Sequence, residues 1–168
     1  QKYIEAGRLR TSAFGFVSDH QKMGKEECLL NMEMEMQFLL TPENESFARV
    51  CAAAFAARLD PTMEEIADIK TALSEAISNA YLHAYGEKTG LLILRAGLLE
   101  RTLIYEIEDR GIGIRSIEEA MQPFFTTSKN EARSGMGFTL MQAFMDEVEV
   151  ISEPEKGTKV ILRKVISH

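Results

Sequence analysis

The sequence predicts an α/β domain, and three observations carry this prediction. Polar and apolar residues alternate over residues 33–40, as they do in a half-buried strand. Helical apolar stripes follow two start signals, Thr41-Pro42 and Asp60-Pro61. Two later pairs of β-rich runs, each joined by a short turn, predict antiparallel hairpins. At 168 residues the chain has the length of one domain with a single core.

Composition excludes several classes of protein. Hydrophobic residues make up 45% of the chain, and no apolar run approaches the roughly 18 residues that a membrane span needs. The formal net charge of −7 argues against broad nucleic-acid binding, so proteins or small molecules are the expected partners. Cys28 and Cys51 lack CxxC spacing, which argues against a disulfide framework or a zinc site. We therefore expect a protein of the reducing cytoplasm that contacts neither membrane nor nucleic acid.

Residues 1–31 differ from the rest of the chain. Glycines interrupt this leader, and its apolar residues follow no clear period. It begins at Gln1, whereas Met32, Met34 and Met36 offer starts immediately before the first regular strand. Two interpretations stay open: a non-native upstream extension, or a native arm that packs on the domain or on a neighbouring subunit. Residues 32–168 are predicted to form a single domain, and deletion of the leader is expected to change its stability little.

The predicted elements follow one another without an internal repeat. The first strand contains Met34, Met36, Phe38 and Leu40, which alternate with polar residues. Helices are predicted over about 42–59 and from 61 to about 85, with a hairpin over 91–96 and 102–108. A short helix over 116–121, a polar loop over 122–134, a helix from 134 to about 147 and a hairpin over 148–152 and 159–165 complete the order.

The second predicted helix carries a polar stripe beside an apolar surface. Glu75, Asn79 and His83 recur every four residues and so lie on one side of the helix. Ala76 and Ile77 flank the stripe, which places a carboxylate next to a surface that should be buried. Two interpretations are about equally supported by this stretch alone: a functional site, or a solvent face that happens to be polar. A packed or helix-terminal histidine is the simpler interpretation of His83.

An aspartate ends the second strand of the first hairpin. Leu103, Tyr105 and Ile107 share one face of that strand, and Asp109 continues the same face. The carboxylate therefore stands at the end of a row that otherwise points into the core. A sharp, glycine-containing turn over 109–114 follows it.

Gly135-x-Gly137 precedes the last predicted helix. Glycines let the backbone approach a ligand, and the free N–H groups of a helix start attract phosphate. By itself the pair is weak evidence, because two glycines before a helix are often only a tight turn. The Rossmann, Walker and protein-kinase motifs are all missing, so a nucleotide site would be of another kind.

Taken together and in this order, the motifs resemble the nucleotide-binding fold shared by gyrase, a heat-shock chaperone, histidine kinases and the mismatch-repair ATPase. Within that superfamily the chain resembles the bacterial anti-sigma serine kinases, above all the sporulation anti-sigma F group. The resemblance covers about residues 33–166. It is carried by these phrases: Glu45-Ser46-Phe47-Ala48-Arg49-Val50, Leu59-Asp60-Pro61-Thr62-Met63, Gln122-Pro123-Phe124-Phe125-Thr126-Thr127, Arg133-Ser134-Gly135-Met136-Gly137-Phe138-Thr139 and Phe144-Met145-Asp146-Glu147-Val148.

The resemblance implies a Bergerat-type, two-layer α+β sandwich, with helices on one face of a mixed, mainly antiparallel sheet. It also implies that ATP or ADP binds between the helices and a flexible lid. Asn79 matches a Mg²⁺ ligand, Asp109 the acceptor of the adenine amino group, and Glu75 the carboxylate that removes a proton from the attacking hydroxyl. The implied nucleotide-binding residues are Asn79, Asp109, Gly111, Gly113, Thr126, Thr127, Lys129, Arg133, Ser134, Gly135, Met136, Gly137 and Thr158. Ser128-Lys129-Asn130 stands where the family has a lysine followed by proline, so the register of the lid lysine stays open.

The activity implied by the resemblance is that of an ATP-dependent serine kinase that also sequesters a sporulation sigma factor. Its substrate would be a serine of the anti-anti-sigma antagonist. Arg49 matches an arginine that contacts both partners in turn, and the alternative is an ordinary surface arginine on the first helix. The family's homodimers imply pairing through the sheet region. Two alternatives remain: a catalytically idle, ATP-gated binding module, or the ATPase domain of a histidine kinase.

Overall fold

The computed structural model describes residues 2–5, 8–12, 32–122 and 136–167. Within these ranges a sheet of seven strands packs against helices. The strands are β1 (Lys2–Glu5), β2 (Arg8–Ser12), β3 (Met32–Leu39), β4 (Leu91–Leu99), β5 (Thr102–Asp109), β6 (Glu147–Glu153) and β7 (Gly157–Val165). The helical segments are α1 (Pro42–Ala56), a 3-10 turn (Ala57–Leu59), α2 (Met63–Asn79), a π turn (Ala80–Ala84), α3 (Ile117–Ala120) and α4 (Gly137–Phe144).

The strand order across the sheet is β1-β2-β6-β7-β5-β4-β3. All six pairings between these strands are antiparallel, so the parallel component of the predicted mixed sheet is not found in the described ranges. The predicted α/β sandwich is confirmed. Hairpins join β4 to β5 and β6 to β7, and β5 pairs with β7 at the centre of the sheet.

The leader contributes two of the strands. β2 pairs antiparallel with β6, and β1 pairs with β2, so the hairpin extends the sheet beyond β6. The division into a separable leader and a domain over 32–168 stays a prediction.

Both long helices begin at threonine caps. Thr41 Oγ1 accepts a hydrogen bond from the Asn44 N–H and is followed by Pro42, as predicted. The second start lies two residues later than the Asp60-Pro61 signal. Thr62 and Glu65 form a reciprocal capping box there. Asp60 adopts a left-handed conformation with φ of 53°, which ends the 3-10 turn instead of starting α2.

The core lies between the helices and one face of the sheet. Leu73 and Ile77 of α2 are fully buried there, opposite the inward-facing residues of the strands. On β5 the inward row is Leu103, Tyr105 and Ile107, as the sequence predicts, and Asp109 ends the row in a buried position. Among the described residues, no helix combines the length and the apolar character that a membrane span requires.

The opposite face of the sheet carries charged pairs across neighbouring strands. Arg95 of β4 pairs with Glu35 of β3 at 2.6 Å and with Glu108 of β5 at 2.7 Å. Arg163 of β7 pairs with Glu147 of β6 at 2.5 Å. The two faces therefore differ in character, and the helices occupy the apolar one.

Candidate functional site

A cavity of about 650 Å³ opens where α2, the end of β5, the start of α4 and the β6–β7 turn meet. Its size is in the range typical of small-molecule sites, which is roughly 300–1,000 Å³. Of the residues predicted for a nucleotide site, those that line this cavity are Asn79, Asp109, Gly113, Gly137 and Thr158. His83, whose role the sequence left open, lines it as well.

Asp109, the last residue of β5, lines the cavity. Its side chain is only 6% exposed, and its Oδ1 atom accepts hydrogen bonds from the N–H groups of Gly111, at 2.9 Å, and Thr158, at 3.1 Å. Burial raises the pKa of Asp109, and the Glu108 charge adds to this effect, whereas the two N–H groups oppose it. Both of these hydrogen bonds use Oδ1, so Oδ2 is left for an amino group of a ligand.

The turn after Asp109 is held by the π turn at the end of α2. Ala84 O accepts from the Ile112 N–H at 3.2 Å, and Tyr85 Oη accepts from the Arg110 N–H at 2.8 Å. A β-carbon on Gly111 would overlap Ala84 O. Gly111 thus lets two backbone segments approach closely, and Gly111 is not among the residues that line the cavity.

Gly113 has φ of +69°, and a β-carbon there would overlap Glu153 O at the end of β6. This left-handed conformation favours glycine, and the close approach of Glu153 O excludes any β-carbon. The glycine therefore fixes the turn against the β6–β7 hairpin, where it borders the cavity.

The start of α4 and the polar stripe of α2 also border the cavity, through Gly137, Asn79 and His83, whereas Glu75 is not among the residues that line it. A β-carbon on Gly137 would lie 3.0 Å from Asn79 Oδ1 and 3.2 Å from Glu75 Oε2. The amide and the carboxylate of the stripe therefore lie against the first residue of α4. Met136 is the N-cap of α4 and forms no side-chain capping bond within the described residues. This arrangement fits an anionic group such as phosphate, which helix starts attract.

Asn79 also fits a divalent cation held mainly by other ligands. Within the described ranges no group of three or more His, Cys, Asp or Glu side chains is placed to hold a metal. Mg²⁺ is commonly bound by one or two protein oxygens together with substrate phosphates and water. The Asn79 side-chain oxygen beside the start of α4 meets that requirement.

Glu75 lies in a partly buried position with a second carboxylate nearby. Burial raises its pKa, and the negative charge of Glu45 on α1 raises it further. Ser74 connects the two helices, because its hydroxyl donates to Glu45 Oε1 at 2.9 Å. A carboxylate with a raised pKa is a better proton acceptor than an ordinary glutamate, provided that it is ionised.

Arg49 is closer to this site than its position on α1 predicted. The sequence-based expectation was an exposed arginine away from the nucleotide. The side chain is instead half-buried, and it donates to Ser74 Oγ at 3.3 Å and to Ser46 Oγ at 3.0 Å. Arg49 is therefore hydrogen-bonded to the residue that precedes Glu75.

Several predicted site residues lie outside the described part of the chain. These are Thr126, Thr127, Lys129, Arg133, Ser134 and Gly135. Conversely, the sequence-based prediction missed Ser74, Glu45, Tyr85 and Ser152, whose hydrogen bonds hold the site together. Ser152 carried a usable signal, because it continues the inward row of Val148 and Val150 on β6.

The chain is similar to known proteins over most of its length. The model of the histidine kinase-like ATPase domain family matches residues 38–164. The anti-sigma F factor of Caldanaerobacter subterraneus subsp. tengcongensis is 57% identical over 138 residues, which cover 82% of this chain and 96% of that protein. That of Clostridium acetobutylicum is 52% identical over 136 residues, covering 81% of this chain and 95% of that protein.

The chain belongs to the anti-sigma F factors, within the histidine kinase-like ATPase family. The predicted family is therefore confirmed.

Two solved structures share the fold of this anti-sigma F family member. The RsbU and RsbW domains of a Mycobacterium tuberculosis protein give a TM-score of 0.56 at 18% identity, with 80% of this chain and 33% of that chain covered. The catalytic domain of the histidine kinase ThkA gives a TM-score of 0.51 at 15% identity, with 79% and 96% covered. At these identities the likeness concerns the fold alone.

Proposed function

We propose that this protein binds a sporulation sigma factor, inhibits it, and uses Mg-ATP to phosphorylate a serine of the anti-anti-sigma antagonist. One observation carries the catalytic half of the proposal. The Glu75 carboxylate and the Asn79 amide lie together against Gly137, and Asn79 and Gly137 line the cavity. A proton acceptor and a metal ligand thus adjoin the helix start where phosphates would bind.

In the proposed reaction the antagonist's serine oxygen attacks the γ-phosphorus of ATP. Glu75 accepts the serine proton, a new phosphorus–oxygen bond forms, and the bond to the β-phosphate oxygen breaks to release ADP. Asn79 and the start of α4 orient the phosphates, while Asp109 accepts a hydrogen bond from the adenine amino group. Mg²⁺, when bound, would neutralise the charge on the phosphates.

The surface of α1 supports the proposed partner binding. Among the described residues Arg49 donates to hydroxyl groups and forms no ion pair, so its charge is available to a partner's carboxylate. Phe47 and Val50, on the same helix, are 60% and 61% exposed. Exposed apolar side chains beside an arginine are typical of protein interfaces. Two acidic partners would compete for one arginine, which fits alternate binding of the sigma factor and the antagonist.

The remaining parts of the proposal concern the setting of this reaction. We propose a cytoplasmic homodimer that pairs through its sheet region and binds ADP as well as ATP. The protein would act on transcription through its protein partners and without contacting nucleic acid.

A single set of mixtures tests both halves. Mg-ATP, the sigma factor and the antagonist are combined with the protein, and phosphoserine on the antagonist is measured by mass spectrometry while sigma binding is measured by calorimetry. Phosphoserine formation together with sigma binding is expected. Sigma binding without phosphoserine would favour the idle, ATP-gated module, and phosphotransfer to histidine would favour the histidine-kinase alternative.

Arg49→Ala is the variant that tests the partner surface. We expect both partners to bind more weakly while ATP affinity changes little. Arg58→Ala is the matched control, since Arg58 pairs with Glu33 in an exposed position just beyond α1. Equal losses in the two variants would contradict the role of Arg49.

A further inference from the structure

Ser152 connects three segments beside the cavity, on the side that is proposed to hold the base. It is 4% exposed and lies near the end of β6. Its hydroxyl oxygen accepts from the Ile114 N–H at 2.8 Å, lies 3.0 Å from Gly157 O and lies 2.9 Å from Thr158 Oγ1. One small side chain thus contacts the turn after Asp109, the start of β7 and the threonine that lines the cavity.

These three contacts determine where the hydroxyl protons go. A serine hydroxyl has one proton to donate and two lone pairs to accept with. A carbonyl oxygen only accepts, so the Ser152 proton goes to Gly157 O. The Ile114 N–H occupies one lone pair of Ser152, and the other must receive the proton of Thr158. If Ser152 donated its proton to Thr158 instead, Ser152 Oγ and Gly157 O would face each other at 3.0 Å as two acceptors with no proton between them.

As a result, the side chains of Thr158 and Asp109 on the cavity wall accept hydrogen bonds from a ligand and donate none to it. The Thr158 proton is directed toward Ser152, so only lone pairs of Thr158 face a ligand. Asp109 accepts as well, and its Oδ1 is already held by Gly111 and Thr158. An edge of this kind complements an exocyclic amino group and opposes a carbonyl.

We propose that Ser152 is a positioning residue that sets base selectivity by orienting the Thr158 hydroxyl as an acceptor toward the ligand. The ligand class is a 6-aminopurine nucleotide, and a 6-oxopurine is rejected. The inference rests on the proposed nucleotide binding and adds the residue that tunes it.

A purely structural role for Ser152 predicts a different result. If Ser152 only accepted the hydrogen bond from the part-buried Ile114 N–H, loss of Ser152 would loosen the turn and weaken the binding of every nucleotide alike. The ratio of the affinities for a 6-amino and a 6-oxo nucleotide separates the two roles, because only the orientation of Thr158 changes that ratio.

The experiment is a calorimetric titration with ATP and with inosine triphosphate, which carries a carbonyl in place of the 6-amino group. Wild type is expected to prefer ATP. Ser152→Ala frees the Thr158 hydroxyl to donate to the carbonyl, so the preference should shrink by about tenfold. When Ser152→Ala is made in a Thr158→Val background, the ratio of the ATP and inosine triphosphate affinities should not change, since the hydroxyl that Ser152 orients is absent.

Thr158→Val alone tests the direction of the hydroxyl even if Ser152→Ala fails to fold. If Thr158 is an acceptor, its loss should weaken the binding of ATP more than the binding of inosine triphosphate. If Thr158 is a donor, the reverse would be observed, and the inference would be overturned. An unchanged ratio in Ser152→Ala, or equal wild-type affinity for the two nucleotides, would also overturn it. Binding of neither nucleotide would instead reject the proposed nucleotide binding, and this inference with it.

Discussion

Asn79 Oδ1 lies 3.0 Å from the point that a β-carbon would occupy on Gly137, so a side chain there would push the amide away by a few tenths of an ångström. This contact joins Asn79, the middle residue of the polar stripe, to the first residue of α4. It gives Gly137 a role in positioning Asn79 that is separate from any role in folding.

Gly137→Ala is therefore predicted to displace Asn79 and to lower ATP affinity and phosphoryl transfer by about tenfold or more. Stability should change by less than about 1 kcal/mol, because the helical preference for alanine over glycine opposes the cost of the tight contacts with Asn79 and Glu75. Ala143→Gly, at an exposed position of the same helix, is the matched control and should lose stability while keeping ATP affinity. Binding calorimetry and urea unfolding measure the two effects. Wild-type ATP affinity in Gly137→Ala would contradict this role.

The acid side of the reaction's pH profile should report on Glu75. Its pKa is raised above the ordinary glutamate value of 4.5, first by burial and then by the charge of Glu45. A general base must be ionised, so kcat should fall as the pH drops through this raised pKa.

Glu45→Gln removes the second cause, and the acid limb of the kcat profile should then move to lower pH. Saturating antagonist separates this shift from any change in docking. Glu43→Gln, at an exposed position on the same helix, should leave the acid limb of the kcat profile at the wild-type pH. A limb that does not move in Glu45→Gln would show that the two carboxylates are not coupled.

Periodicity predicted most of the fold because it reports burial directly. The inward row of β5, which ends in Asp109, and the stripe that carries Glu75 and Asn79 were visible in the sequence for this reason. The hydrogen bond between Arg49 and Ser74 was not, because it depends on how α1 packs on α2. The proton order around Ser152 likewise depends on three segments that meet only in the folded chain.

Glu65 should make stability depend on pH. Burial opposes its ionisation, but hydrogen bonds from Thr62 and Ser167 outweigh this effect and hold its pKa at about 2. Because the folded pKa lies below the unfolded value, the stabilisation is complete above about pH 4.5 and is lost as the pH falls toward 2.

Glu65→Gln is thus predicted to be less stable than wild type at pH 7, with the difference shrinking as the pH is lowered to about 3. Urea unfolding across this range measures it. Glu64→Gln, at the exposed neighbouring position, should follow wild type throughout. A stability difference that stays constant with pH would contradict the ionised contact between Glu65 and Ser167.

Glu75→Gln tests the proposed kinase activity most directly, because it removes the proton acceptor and nearly keeps the shape of the side chain beside Gly137. The measurement is the rate of phosphoserine formation on the antagonist with saturating Mg-ATP, alongside ATP and sigma-factor affinities. The rate should fall by about 10²–10⁴ while both affinities are retained. Asn79→Ala, by contrast, should weaken ATP binding and transfer together. If Glu75→Gln phosphorylated the antagonist at the wild-type rate, Glu75 would not be the catalytic base.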